Sequence, residues 1–262
     1  MIPVIYPEWG APTQIGALST TRAGGVSAAR YDDGKGGGGL NLGTHVNDRA
    51  QDVVENRSRL RQLLSASPIW LSQVHGTRVV DAADAISGTE ADAIIATQPG
   101  QVCTIMTADC LPVLFSDVAG KVVGAAHAGW RGLAGGVLEN TVTRMRAAGA
   151  DEIIAWLGPA IGPMRFEVGS DVLAAFADHD PRAASAFSAI PERAGKYLAD
   201  IYALARLRLQ SVGAQRIAGG GLCTVTDPGF YSYRRDGVTG RMASLIWIKA
   251  AEEGFRAGAS KC

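Results

Sequence analysis

Apolar residues along this chain fall into short continuous runs and longer stretches with helical spacing. The runs Ala93–Thr97, Val102–Met106, Val113–Ser116, Val122–Ala126 and Ile153–Leu157 are rich in Val, Ile, Leu and Ala. Such runs predict short strands. Thr77–Val80 reads as a shorter strand, Ile153–Leu157 stops at Gly158-Pro159, and Arg241–Lys249 closes the set. Between Asp48 and Ala66 the apolar positions Val53, Val54, Leu60, Leu63 and Leu64 suit an amphipathic helix, with Asn47 or Asp48 as its cap. Further helices are predicted over Leu133–Ala148, ending before Gly149, over Asp171–Ala177, and over Tyr197–Val212, which Gly213 can terminate. Strands and helices mix without a regular βαβ alternation, which predicts an α/β or α+β fold with a mixed sheet.

One stretch breaks the pattern. Asp32-Asp33-Gly34-Lys35 followed by Gly36 to Gly39 has no apolar residue, and its glycines predict a flexible surface loop. No internal repeat or long linker divides the chain, so its 262 residues are expected to form a single domain over 1–262. The balance of 25 basic and 25 acidic residues gives net charge 0, against sequence-blind nucleic-acid binding. No apolar run reaches the roughly 18 residues of a membrane span, and the start MIPVIYPEW lacks the pattern of a secretory signal. The expectation is a cytoplasmic protein whose four cysteines stay thiols.

The densest candidate chemistry lies at predicted strand ends, where binding groups concentrate. His75 stands in Leu71-Ser72-Gln73-Val74-His75-Gly76, Cys110 follows Thr107-Ala108-Asp109, and His127 precedes Gly129-Trp130-Arg131-Gly132. Two imidazoles and a thiolate would make a three-ligand zinc site with a fourth position open. Their separations of 35 and 17 residues match no local metal motif, and the same residues fit a buried thiol with two satisfied histidines. They also permit a Cys110–His127 nucleophile, with Asp109 or Gln73 orienting the base.

Ser19 to Ser27 joins hydroxyls, Arg22 and paired glycines, which suits an anion or, equally, a polar loop after a strand. It is not a P-loop. Arg131, close to His127 in sequence, is a second anion candidate. The Phe230 to Gly237 segment offers aromatic and cationic groups for stacking or for an interface, and Gly158 to Pro163 reads as a rigid turn shaping a pocket wall. Cys103, Cys223, Cys262, His45 and His179 read as structural or surface residues.

Six motifs occur in a recognisable order: Ser19 to Ser27, Leu40-Asn41-Leu42-Gly43, Gln73-Val74-His75-Gly76, Thr107-Ala108-Asp109-Cys110, His127 to Gly132, and Phe230 to Leu245. Over nearly the whole chain they resemble the bacterial YfiH/YlmD family, long labelled multicopper polyphenol oxidase or laccase-domain proteins. The resemblance implies a layered mixed β-sandwich flanked by helices, similar to the catalytic domain of cytotoxic necrotizing factor. It implies that His75, Cys110 and His127 bind the metal and carry catalysis. The metal implied is zinc, with copper as the alternative. Purine nucleoside phosphorylase, adenosine deaminase and methylthioadenosine phosphorylase activities follow from the family. A relative has also been linked to peptidoglycan editing. The chain departs from its relatives at Asp32 to Gly39, where they pass directly from Tyr to Ser-Leu-Asn-Leu-Gly.

The leading expectation is phosphorolysis of purine nucleosides, with small-molecule partners only. Phosphate would be held by Arg22 and Arg131, and Ser27, Asn41, Gln73 and Asp109 stand as further substrate or phosphate contacts. Adenosine deamination fits a metal-activated water, though the H-x-E…P-C-x-x-C signature is absent. The alternatives are a cysteine amidase acting on peptidoglycan precursors through Cys110 and His127, and a non-enzymatic zinc-binding module. A laccase-like oxidase fits poorly, because its copper cluster consumes more imidazoles than the four present.

Overall fold

In the computed structural model, which describes residues 2–250, the apolar runs pair into two sheets packed face to face. The first sheet orders Val4–Ile5, Ile15–Thr20, Met242–Ile248, Val102–Thr107 and Pro68–Trp70, with only the last pair parallel. The second orders Arg216–Gly219, Ile153–Leu157, Leu111–Asp117, Val123–Ala128, Ala93–Ala96 and Val79–Asp81, with parallel pairs at both edges. Between them Ile105, Cys103 and Ile246 of the first sheet meet Ile94, Leu114, Val123 and Trp156 of the second.

The outer faces are covered as well, which is why the central strands are apolar throughout rather than alternating. Helices Val137–Ala147 and Ile201–Ser211 pack Leu138, Val142, Met145, Leu204 and Leu209 on the second sheet. Helix Ala50–Arg61 places Leu60 against the first sheet beside Leu40 and Leu42. The class is mixed α/β, as expected. A third, small antiparallel sheet of Glu167–Gly169, Lys196–Ala199 and Phe187–Ala189 shares the core of the second through Val168 and Ala199. No described helix is long and apolar enough to cross a membrane.

Several predicted elements are corrected. The helix expected from Asp48 begins at Ala50 and ends at Arg61; Asn47 takes a left-handed φ of 63° and neither it nor Asp48 caps the helix. Val54 and Leu63 point outward, so the apolar stripe is narrower than its sequence suggested. The helix expected over Leu133–Ala148 is two, Trp130–Gly135 and Val137–Ala147, broken at Gly136, whose φ of 97° no continuing helix allows. Tyr197 to Ala199 belong to a strand, and the helix starts only at Ile201 because the Asp200 carboxylate accepts from the Tyr202 and Ala203 N–H groups. Replacing Asp200 with Ala should therefore lower stability by about 1 kcal/mol, read as a shifted urea midpoint, and Asp200→Asn should restore most of it. Ser19 to Ser27 is no open loop: Ile15–Thr20 and Ala23–Ser27 are strands.

This topology brings three segments of the chain to one edge of the sandwich. The Val102–Thr107 strand of the first sheet crosses into Leu111–Asp117 of the second through Ala108, Asp109 and Cys110. His127 pairs with Pro112 in the adjacent strand and so lies next to Cys110. The loop after Pro68–Trp70, parallel neighbour of Val102–Thr107, delivers His75 to the same edge.

Candidate metal centre

His75, Cys110 and His127 each offer one ligand atom, and these atoms all lie within 4.8 Å of one another. The Cys110 Sγ is 3.7 Å from His75 Nε2. A tetrahedral zinc with bonds of about 2.1 Å to N and 2.3 Å to S spaces such atoms about 3.6 Å apart, so the donor set fits an ion. The two imidazoles meet edge to face, with centroids 4.7 Å apart. His127 is buried, Cys110 half-buried and His75 exposed, an arrangement closed on one side and open to the surface on the other.

What holds the three together is a residue that no motif reading named. Asp92, fully buried, precedes the Ala93–Ala96 strand. Its carboxylate accepts the Val74, His75 and Gly76 N–H groups at 3.2, 2.9 and 2.7 Å, which pins the His75 loop. It also accepts from His127 Nδ1 at 2.8 Å, fixing the ring so that Nε2 faces the site, the usual support for a metal-bound histidine. Within this cradle His75 has a left-handed φ of 62°, and outside it Asp109, bonded to Thr224 and Arg234, has one of 90°, strain that the hydrogen bonds around each hold in place.

Gly129 keeps the approach open. A Cβ there would lie 2.8 Å from His75 Cδ2 and 3.1 Å from Cys110 Sγ. Gly129→Ala should thus wedge His75 and Cys110 apart and weaken metal binding by about 10-fold or more, measured by competition with a chelator, while the fold survives.

Electrostatics ties the sulfur to the imidazoles. Burial alone would raise the Cys110 thiol, but the charge of His127 and hydrogen bonds from His127 and His75 overcome it and bring it down to about 6. Burial likewise opposes a charge on His127, yet the Cys110 sulfur and the Asp92 carboxylate raise it. In the metal-free protein the pair is thus a thiolate facing an imidazolium.

A cavity of ≈ 870 Å³ includes the three groups in its wall, with Trp70, Leu71, Met106 and Tyr233 as apolar lining, Arg57 and Arg241 as cationic lining, and His45 beside them. On the other side of Cys110 a smaller slot of ≈ 170 Å³ is walled by Trp130, Ile161, Phe166, Ile201 and Tyr233.

The remaining predicted site residues are elsewhere or otherwise engaged. Arg22 is buried away from the cavity lining, with Nε donating to the Asp32 carbonyl at 2.9 Å and the guanidinium 4.9 Å from the centre of the Tyr231 ring. Ser27 donates to Asp48 at 2.7 Å, and Asn41 is fully buried, its amide bonded to Asp48 and Gly43. Gln73 lines the cavity, but both ends of its amide pair with the Met106 backbone at 2.8 Å. Asp109 accepts from Thr224 Oγ1 and the Arg234 N–H at 2.6 and 2.7 Å. Neither Asp109 nor Gln73 therefore orients His127; Asp92 does. Arg131 is exposed and stacks 4.4 Å over Trp130. Phe230 to Gly237 acts mainly as a clasp, with Tyr231 fully buried on the Tyr31 carbonyl and only Tyr233 reaching the cavity. Ile161 carries the Gly158 to Pro163 turn into the slot wall. Cys103 is buried in the core, Cys223 accepts the Gly162 N–H, and Cys262 lies outside the described residues.

Residues 16–249 match the family described as multi-copper polyphenol oxidoreductase laccase. The chain is 53% identical over 248 residues to "Purine nucleoside phosphorylase PA4543" of Pseudomonas aeruginosa, covering 94% of this chain and 98% of that one. It is 50% identical over 252 residues to "Purine nucleoside phosphorylase YfiH" of Escherichia coli K12, covering 95% and 100%. The crystal structure of Neisseria meningitidis protein NMB0706 superposes with a TM-score of 0.88 at 50% identity, over 94% of this chain and 99% of that one. The chain belongs to the YfiH/YlmD family. The Asp32 to Gly39 segment folds as a surface turn in which the Asp33 carboxylate accepts the Lys35 and Gly37 N–H groups at 2.8 Å. None of its residues lines the cavity.

Proposed function

We propose that this chain, a single domain, is a purine nucleoside phosphorylase that converts adenosine, inosine or methylthioadenosine with phosphate to the free base and the sugar 1-phosphate. The observation that carries this reading is the near-complete match, at 53% and 50% identity, to two proteins bearing that activity in their names. The cavity supports it with metal-binding groups and cations in one wall.

In the reaction a phosphate oxygen bonds to C1′ as the C1′–N9 bond breaks. The base leaves with the electron pair and takes up a proton, and positive charge develops on the sugar. The flat slot beside Cys110, with Trp130, Phe166 and Tyr233 in its walls, suits stacking of a purine ring. His75, Cys110 and His127 would hold the ion. One thiolate and two imidazoles with a position left open favour zinc, with copper as the alternative. Such an ion, when bound, supplies a Lewis acid. Asp92 contributes by keeping the His127 ring fixed and the His75 loop in place. The laccase chemistry in the family description is not carried over, because four histidines in the whole chain cannot build its copper cluster. Deamination of adenosine, the second activity in this reading, would be read as inosine formed without base release. The reading places the enzyme in the cytoplasm, where thiols stay reduced.

A second reading, a cysteine amidase acting on peptidoglycan precursors, is favoured by one observation: Cys110, His127 and Asp92 stand in a nucleophile–base–orienter line. Substrate tests separate the two. Inosine, adenosine and methylthioadenosine should release base only when phosphate is present. Base release without phosphate from all three, or from none under any condition, would remove the phosphorylase reading.

A further inference from the structure

We propose that inorganic phosphate binds between Arg57 and Arg241, with His45 beside it, in the cavity walled by His75, Cys110 and His127, rather than at the Ser19 to Ser27 segment. This inference rests on the phosphorylase reading for the identity of the anion.

Both guanidinium groups line the cavity that contains His75, Cys110 and His127, and neither pairs with a carboxylate among the described residues. They are held instead by neutral groups. Arg57 donates from Nε and Nη2 to the Leu42 carbonyl at 3.0 and 2.8 Å, and its guanidinium stacks 4.0 Å from the Trp70 ring centre. Arg241 donates from Nη1 to the Thr239 and Gly240 carbonyls at 3.1 and 3.0 Å. Arg57 Nη1 and Arg241 Nε and Nη2 have no hydrogen-bond partner among the described residues. Carbonyls orient a cation without neutralising it, and a half-buried guanidinium lacking a counter-ion favours an incoming anion.

The spacing of the two arginines is built into the backbone. Leu42 receives Arg57 on its carbonyl and donates its N–H to the Arg241 carbonyl at 3.1 Å. Asn41 Oδ1 accepts the Arg241 N–H at 2.9 Å, which makes Asn41 a positioning residue for the anion site. His45 lies close enough to feel both cations: burial, then Arg241 and Arg57, lower it, so it meets an anion as a neutral ring able to donate one N–H. Arg22 contrasts with this pair, since Asp32 already compensates its charge at 3.4 Å.

The test uses the zinc-loaded full chain and inorganic phosphate. Titration followed by NMR should shift the His45 ring signals saturably and leave those of exposed His179 unmoved. In steady state Arg57→Gln and Arg241→Gln should each raise the phosphate KM by about 10-fold or more and change the inosine KM by less than about twofold. Arg22→Gln should change neither. Unmoved His45 signals, or phosphate KM values kept by both arginine variants, would overturn the site. Because the NMR arm needs no substitution, a variant that fails to fold leaves the proposal exposed. If inosine is cleaved without phosphate the phosphorylase reading fails, yet a saturable His45 shift still supports an anion site and its absence still overturns it.

Discussion

Removing the metal with a chelator should reduce nucleoside cleavage by about 10²-fold or more, and adding zinc should restore it. The expectation follows from a donor set whose sulfur and imidazole nitrogens already stand within 4.8 Å. The same treatment should have an opposite effect on the thiol. Freed of its ion, Cys110 faces a protonated His127, and its thiol is lowered to about 6. A lowered value means that the thiolate persists as pH falls from 8 and is lost only below about 6. Alkylation of chelated protein by iodoacetamide should therefore remain fast near pH 7, where an ordinary thiol with a value of about 8.5 is slow. Zinc should protect the sulfur from the reagent. Chelated protein that cleaves inosine at full rate would sink the metal mechanism, and rising amide hydrolysis on chelation would favour the cysteine amidase.

Asp92→Ala should be the most damaging single substitution outside the ligands. The buried carboxylate accepts three loop N–H groups and the His127 ring. Losing it leaves those donors without partners, and breaking such a buried arrangement costs about 3–5 kcal/mol. Zinc affinity should fall by about 10- to 100-fold as His75 and His127 lose their orientation. Thermal denaturation and chelator competition check the two effects. Asp92→Asn keeps the volume, but its NH2 group must face a donor, so it should recover the packing and little of the affinity. A variant as stable and as zinc-avid as the parent would show that the loop is held by something else.

The core strands were readable from sequence for a physical reason. Ala93–Ala96, Val102–Thr107 and Ile153–Leu157 are covered on both faces, so each is one continuous apolar run. Shorter and edge strands carry no such mark. Tyr197 to Ala199 looked like the first turn of a helix because their apolar residues continue the helical spacing, and only the Asp200 cap tells where the helix begins. Ser19 to Ser27 misled for a related reason: hydroxyls and glycines suit an anion loop and also paired strands with buried hydroxyls. Here Ser19 bonds Ser244 and Ser27 bonds Asp48.

His75, Cys110 and His127 had no local spacing to reveal them, since the crossover between sheets brings them together, and only their strand-end positions and the ordered motifs pointed to them. Asp92 was less legible still. It is one acid in Ala91-Asp92-Ala93, and the loop amides it binds lie sixteen to eighteen positions away. A lone carboxylate leading into a fully apolar strand is the signal that could have found it, because such a group must be satisfied. No motif singled out Arg57, and its stacking on Trp70 depends on how the following strand, Pro68–Trp70, packs beside its helix.

The attacking oxygen at C1′ tests the central claim most directly. Zinc-loaded protein turning over inosine in phosphate and ¹⁸O-labelled water should form hypoxanthine together with ribose 1-phosphate carrying no label from water at C1. Free ribose labelled at C1, with phosphate unconsumed, would contradict the account.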